Sequence, residues 1–470
     1  MPYTSAVAWS LHELGFAQFG DERLTKRGVH VATDLLEHPQ SSIPHACGNW
    51  AATKGAYRFF SNDKVQSAHM LASHQQQLRE RTSGLETVLV AQDTTTLNLS
   101  NRDIHGVGLV GNGGTGGKDS SPLQGLYVHT GLAMTADGLP LGITSQKIYV
   151  RKAETLTKDY KKTVKAKPIS EKETVRFVEA VTAARTTLPT KHLVVIGDRE
   201  ADIYEVFQKG QEQGVDLLIR ASTNRRLVGE VAKLFEHVSQ GEIVAAYETD
   251  IPIDHHKMRR ATLTIRASSV TLPPPKSRNR KEKWPGIQLT ALRVSEEQPE
   301  PETEPVQWIL FTSVAVTTAE QARETVRWYT YRWRIERFYF TLKTGAFNIE
   351  KLQFETLDRF KKAITLYSLV ATRILYTIYF EREHPGELAT ALFSSHEIQL
   401  LCLREEAVPE GFTCHQAVVA TAKIGGYLAR KSDGPPGIKA LWIGFQALQY
   451  LVQGMLLGER QARKQAHSTQ

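Results

Sequence analysis

The spacing of apolar and polar residues changes character several times along the 470-residue chain. Residues 1–80 carry helical spacing and few strand signals. In "FGDERLTKRGVHVATDLL", Asp21 stands at a predicted N-cap, and Leu24, Val29, Val31 and Leu35 or Leu36 follow at helical intervals. "NWAATKGAYRFFSND" predicts a second helix with Lys54 and Arg58 one turn apart. The period then shortens. "LETVLVAQDTTTLNLS" (85–100) is a β-branched apolar run, an acid and then threonines, which predicts a strand. "LYVHTGLAMTA" and "PLGITSQKIYV" predict two more, joined at "DG". "SEKETVRFVEAVTAARTTL" opens on the capping box Ser170-x-x-Glu173 and predicts a helix. "HLVVIGDRE" is a short buried strand ending on Asp198, "DIYEVFQKGQEQG" a helix closed by Gly214, and "VDLLIRAS" a further strand. The order β-β-β-α-β-α-β implies an α/β fold, a mixed sheet with helices packed on it.

Residues 225–305 interrupt that order. "EIVAAYETDIPI", "RRATLTIRASSVTL" and "GIQLTALRV" alternate apolar and polar positions and predict an all-β insertion, with the basic loop "PPPKSRNRKEKWPG" as a flap. "VQWILFTSVAV" (306–316) restores a strand. Thr317-x-x-Glu320 reads as a capping box that starts a helix running through "YTYRWRIERFYFTLKTGA". From about residue 350 the chain is helical again. "AITLYSLVATRILYTIYF" (363–380) contains Arg373, and "ALWIGFQALQYLVQGMLLG" (440–458) contains three glutamines. Neither is a clean apolar span of about 20 residues, so both are expected as buried helices. The division that follows is 1–80, 81–224, 225–305, 306–355 and 356–470.

Composition narrows the function classes. Apolar residues make up 41% and charged residues 23%, which are globular values. The net charge of +8 favours a polyanionic partner. Cys47, Cys402 and Cys414 form no CxxC pair, so reduced thiols are expected rather than a zinc knuckle or disulfide framework. The N-terminus lacks a signal-peptide pattern, and a cytoplasmic protein without a membrane partner is expected. "GVGLVGNGGTGGK" (106–118) departs from a phosphate loop: Asn112 stands where glycine is needed and Asp119 follows Lys118. It reads as a flexible connection between strands. Adjacent His255 and His256 on a strand point to opposite faces and make a poor metal pair.

The chemistry lies elsewhere. At about 100° per residue, Arg332, Glu336 and Lys343 fall within roughly 60° of Tyr329, one polar stripe holding a single acid among cations. Tyr331, Ile335, Phe338 and Leu342 form a second stripe suited to packing on the sheet. Asp93 and Asp198 each follow a buried apolar run, where an acid is costly unless paired or bound to a metal. A turn or cap explains either one alone. Two such acids and a helix glutamate can instead share a pair of Mg²⁺ ions for phosphoryl transfer, with Arg332 and Lys343 holding phosphates.

"QDTT" at Asp93, "DREAD" at 198–202 and the spacing Y-(2)-R-(3)-E-(6)-K at Tyr329, Arg332, Glu336 and Lys343 resemble the signature of DDE transposases of the insertion-sequence-four family. The resemblance runs nearly end to end, through "GDERLTKR", "GAYRFFSN" and "GGYLARKSDGPPGIKALW". It implies an RNase H-like core interrupted by the β insertion and flanked by helical N- and C-terminal domains. It implies Asp93, Asp198 and Glu336 as the triad holding two Mg²⁺ ions, for which Mn²⁺ can substitute. The implied reaction is cut-and-paste transposition through a hairpin, by a homodimer bound to the inverted repeats of the element ends and to target DNA. A flipped base would stack on Trp308, 21 residues before Tyr329; a core aromatic is the plain alternative. The candidates for DNA contact are Tyr329, Arg332, Lys343, Trp308, Arg220, Arg58, Lys54 and Arg27. Phe340 stands where the family has a lysine. Two rival readings stay open: a silent descendant that binds element ends, and a metal-dependent nuclease of the same fold.

Overall fold

The computed structural model describes residues 5–112, 122–151, 163–164, 167–252, 258–275, 284–299, 303–430 and 433–468. His255, His256, Lys118, Asp119 and the centre of the basic loop lie outside them. Five helices come first: α1 (Ala6–Leu14), α2 (Glu22–Glu37), α3 (Ile43–Cys47), α4 (Trp50–Ser61) and α5 (Ser67–Arg81). Asp21 caps α2 as expected, its carboxylate accepting the Arg23 N–H at 2.9 Å, and Val29, Val31 and Leu35 are buried.

The sheet begins with β1 (Thr87–Asn98), β2 (Gly108–Asn112), β3 (Pro122–Met134) and β4 (Pro140–Tyr149). Next come β5 (His192–Gly197) and β6 (Asp216–Arg220). β4 pairs with β3, β3 lies antiparallel to β1, and β1, β5 and β6 run parallel. This arrangement, three antiparallel strands extended by two parallel ones, is an RNase H-like core. Helices α6 (Val175–Thr187) and α7 (Tyr204–Gln213) provide the connections, and Gly214 ends α7 at a φ of 60°, where a Cβ would be strained.

The inserted segment joins this sheet. β7 (Glu242–Pro252), β8 (Met258–Leu272) and β9 (Ile287–Glu297) form an antiparallel meander. β9 pairs with β10 (Gln307–Thr312), and β10 pairs antiparallel with β6, so one sheet of 10 strands results. A short helix, α8 (Leu234–Ser239), precedes these strands, so the insertion is not purely β. Part of the glycine-rich segment is strand β2, not a free connection.

Both predicted capping boxes shift. α6 is preceded by Thr174, and residues Ile169–Glu171 form a 3-10 turn. Glu173 cannot reach back to Ser170 because Arg151 holds its carboxylate at 2.7 and 2.9 Å. α9 (Ala319–Thr330) starts one residue later than expected. Its capping box is Thr318 with Gln321, whose amide oxygen takes the N–H groups of both Thr317 and Thr318. The helix then breaks at Tyr331 and Arg332. It resumes as α10 (Trp333–Phe340) and loosens into a π turn over Thr341–Gly345.

α11 (Leu357–Glu383), α12 (Ser395–Glu405), α13 (Cys414–Ile424) and α14 (Ile438–Ser468) complete the fold. By length and composition both α11 and α14 could cross a membrane. α11 is the core helix the sequence predicts, with 94% of its apolar window buried; in α14 the figure is 28%, so α14 is not the buried helix expected. Ile443, Tyr450, Leu451 and Leu457 lie exposed on it. α14 approaches α13 so closely that a Cβ on Gly444 would sit 1.9 Å from the Thr421 carbonyl oxygen. Cys47, Cys402 and Cys414 are free and buried.

A buried ionic network docks the first helices on the sheet. His74 Nε2 accepts the Ile143 N–H of β4 at 2.8 Å, so the proton sits on Nδ1, which donates to Glu13 at 2.6 Å. Arg81 also binds Glu13. Burial alone would raise Glu13, but Arg81 and His74 hold it down at about 2; burial lowers His74. Removing one partner strands the others without water, so Glu13→Ala should cost about 3–5 kcal/mol, visible as a lowered thermal midpoint. Both folded-state pKa values are depressed, so the stability they contribute is present above the ordinary values and lost on acidification. The loss should begin as pH falls below 6.5 for His74 and continue from 4.5 toward 2 for Glu13. A midpoint unchanged by Glu13→Ala would contradict this.

Candidate active site

Asp93 lies within β1, not at its end, with Thr130 of β3 as its neighbour. The strand is buried from Val88 to Gln92 and becomes half-buried at Asp93. β1 and β5 run parallel with Ala91 opposite Ile196. Two residues further along that register bring Asp93 level with Asp198, which follows the end of β5. Each carboxylate is gripped by local backbone: Asp93 accepts the Thr94 N–H at 2.7 Å and Asp198 the Glu200 N–H at 2.9 Å. Glu336 arrives from α10, where Arg332 binds it at 2.7 Å; the side chain of Glu336 is 37% exposed and that of Arg332 11%.

Asp93 feels the other two acids. Asp93 is pushed up to about 7, first by burial and then by the charges of Asp198 and Glu336, against the Thr94 N–H and the Arg332 charge. Burial would lower Arg332, but Tyr329, Glu336 and Asp93 hold it above the usual arginine value. Tyr339, buried on α10, fixes the helix to the sheet: its hydroxyl donates to the Asp93 carbonyl at 2.7 Å and lies 3.2 Å from that of Val128.

The other predicted residues divide into three groups. Tyr329 is only 3% exposed, so it leaves the polar stripe; its ring meets Trp308 edge-on at 5.4 Å, and burial raises its pKa. Half-buried Trp308 and Arg220 lie around Tyr329, and burial lowers Arg220 despite Tyr329. Lys343 falls in the π turn and donates to the Thr96 carbonyl at 2.9 Å, with Glu350 at 3.7 Å. The break at Tyr331 and this π turn are why the four residues do not form one helical stripe. Arg27, Lys54 and Arg58 are remote from the acids. They line an open cavity of ≈ 400 Å³ on the N-terminal helices with Arg23 and Asn62. Gly55 makes room there, because a Cβ would meet Arg27 at 2.6 Å.

Several site residues escape a reading of the sequence. Arg176 and His129 both reach Thr94, at 2.8 and 2.9 Å. Burial, with Arg176 and Lys147, lowers His129 to about 3, so it is neutral. Asp202, the second aspartate of "DREAD", is buried and braces the turn after β6 through the Ser222 N–H at 2.7 Å and Arg225. Its spacing from Asp198 was a usable signal; a buried arginine in the amphipathic α6 was a weaker one.

The donors suit a divalent cation: hard carboxylate oxygens from three segments, one of them driven toward neutrality by burial and by the charges of the other two. Among the described residues no three His, Cys, Asp or Glu side chains stand gathered as a finished metal cage, and Arg332 occupies Glu336. The fold is an RNase H-like core, with Asp93 on β1, Asp198 just after the adjacent strand β5 and Glu336 on α10. Residues 6–65 match the family model for transposase DNA-binding, 148–373 that for the transposase DDE domain, and 369–468 that for the transposase Tn5 dimerisation domain. The chain belongs to the DDE transposases of the insertion-sequence-four family, of the Tn5 type. A DDE domain implies use of a divalent metal. A cryo-EM structure of the piggyBac transposase synaptic complex with hairpin DNA is similar at 8% identity and a TM-score of 0.38, over 81% of this chain and 74% of that one. So distant a likeness adds nothing to the geometry.

Burial of Asp93, with the charges of Asp198 and Glu336 beside it, predicts a gain in stability from losing its charge. A carboxyl raised from 3.8 to about 7 is held against its preference to ionise, a penalty that is full above pH 7 and absent below 3.8. In chelator, Asp93→Asn should stabilise the protein by ~1–3 kcal/mol above neutrality, with the gain shrinking on acidification. Thermal denaturation across pH reads this directly; a variant less stable than the parent at alkaline pH would contradict it.

Proposed function

We propose that the protein is a cut-and-paste transposase that cleaves DNA at element ends through a hairpin and joins the freed 3′ ends to target DNA. What supports this reading is the placement of Asp93 and Asp198 at level positions along the paired strands β1 and β5, with Glu336 on α10 near enough for its charge to act on Asp93. Asp93, Asp198 and Glu336 would hold two Mg²⁺ ions, with Mn²⁺ able to substitute. Bound there, the metal supplies activation of the attacking oxygen and stabilisation of the leaving one. The residues around it position DNA. Arg332, bound to Glu336 without DNA, has a guanidinium fork suited to a phosphate when the carboxylate turns to its ligand role. Lys343, beside the outer half of β1, adds a point charge. Trp308, half-buried against Tyr329, offers a face for a flipped base, and Arg220 stands behind them. In hydrolysis, water oxygen bonds to phosphorus, the P–O3′ bond breaks and the 3′ oxygen leaves as a hydroxyl. That hydroxyl then attacks the phosphorus of the opposite strand, whose P–O3′ bond breaks so that the flanking DNA leaves with a 3′ hydroxyl and the element end closes as a hairpin. Water opens the hairpin and restores the 3′ hydroxyl, which attacks a target phosphorus and displaces the target's own 3′ oxygen. Arg27, Lys54 and Arg58 present a basic groove for the end sequence. Removing any one of these cations from a DNA phosphate should lower the log–log salt slope of binding by about 1.

The test uses a labelled element end in Mg²⁺. Asp93→Ala, Asp198→Ala and Glu336→Ala should each lower cleavage more than about a thousandfold while end binding is retained. Near-parental cleavage by any one removes that residue from the triad. A parent that yields only nicks is a nuclease, and one that yields no product is a binding protein.

We infer that the active form is a homodimer on DNA, with the exposed apolar face of α14 at the interface, each core cutting the end held by its partner. Mixing Glu336→Ala protein with Arg58→Ala protein should restore cleavage that neither shows alone. No restoration across mixing ratios would contradict trans action.

A further inference from the structure

Arg176 stands behind the acids on α6, buried to 8% exposure. Its Nε donates to Thr94 Oγ1 at 2.8 Å and its Nη2 to Glu200 Oε2 at 2.8 Å. Nη1 donates to the Glu173 carbonyl at 2.9 Å. The two residues at the ends of this fork are the ones whose backbone N–H groups grip the strand acids: Thr94 for Asp93 and Glu200 for Asp198. Thr94 is locked from the other side. With His129 Nε2 donating to Gln92 Oε1 at 3.3 Å, His129 Nδ1 accepts the Thr94 hydroxyl proton at 2.9 Å, which leaves the Thr94 oxygen free to accept from Arg176. One planar cation thus ties the β1 clamp to the β5 clamp across adjacent strands.

We propose that Arg176 is a positioning residue that sets the separation of Asp93 and Asp198, and so the affinity of the site for its metal. The inference rests on the triad reading above. It requires a rigid fork: lysine is a single point donor and cannot hold Thr94 and Glu200 together in the same geometry. Loss of such an outer hydrogen-bonding partner lowers metal affinity by about 10–100-fold.

The experiment measures Mn²⁺ bound by the protein on its element end, by electron paramagnetic resonance, as the part that disappears in Asp93→Ala. The Mg²⁺ concentration giving half-maximal cleavage and the thermal midpoint are measured alongside. Arg176→Lys and Arg176→Ala should weaken that Mn²⁺ binding and raise the Mg²⁺ requirement by about tenfold or more, with end binding unchanged. Thr94→Val should share the defect and Thr94→Ser should escape it, which keeps the test open if Arg176→Ala folds poorly. Parental metal affinity in Arg176→Lys and Thr94→Val, with only the thermal midpoint lowered, would overturn the proposal and leave the triad standing. No Asp93-dependent Mn²⁺ in the parent would overturn the triad reading, and this proposal with it.

Discussion

A carboxylate set into a largely buried strand, Asp93, with Asp198 and Glu336 beside it, is the constraint around which the site is arranged. Asp93 and Asp198 are brought level by the parallel pairing of β1 and β5, and Glu336 is carried to them by α10. Burial and the two neighbouring charges oppose ionisation of Asp93. The fold opposes that with short local grips and one cation: backbone N–H groups on the two aspartates, and Arg332 on the glutamate. Tyr339 then pins α10 to the carbonyl of Asp93 itself. A divalent cation beside Asp93 would favour its ionised form.

The remaining architecture follows from the need to bring a polyanion to that point. The sheet grows from the RNase H-like core through β10 into the inserted meander, so the insertion is a continuation of the catalytic platform. The N-terminal helices dock on β4 through Glu13, His74 and Arg81, a network buried from solvent. That docking fixes the basic groove of Arg27, Lys54 and Arg58 relative to the acids. At the far end, α14 packs against α13 at Gly444 but leaves Tyr450, Leu451 and Leu457 uncovered, in the segment that matches a dimerisation domain.

The candidate site residues stood out in the sequence where chemistry restricts the residue type. Acids after apolar runs are expensive, so Asp93 and Asp198 stood out, and Glu336 stood out among cations. The strands were legible for the same reason: "VLVAQ" and "HLVVIG" have no reading outside a buried sheet. What failed was fine geometry. A wheel drawn through Tyr329 to Lys343 assumes unbroken helix, and neither the break at Tyr331 nor the π turn at Thr341–Gly345 has a glycine or proline at its start to announce it. Ser170 and Glu173 have the spacing of a cap, but Arg151, distant in sequence, captures the glutamate. α14 reads as core because its apolar residues do not reveal which face a partner covers. Arg176 was hidden because its partners, Thr94 and Glu200, come together only in the fold.

The central claim is that Asp93, Asp198 and Glu336 share one metal site. Fe²⁺ in place of Mg²⁺, with ascorbate and peroxide, generates hydroxyl radicals at the bound ion and cuts the nearest backbone. The account predicts protein fragments ending near Asp93, Asp198 and Glu336 together, suppressed by excess Mg²⁺ and absent in Asp93→Asn. Cuts confined to one of these segments, or clustered elsewhere in the chain, would contradict it.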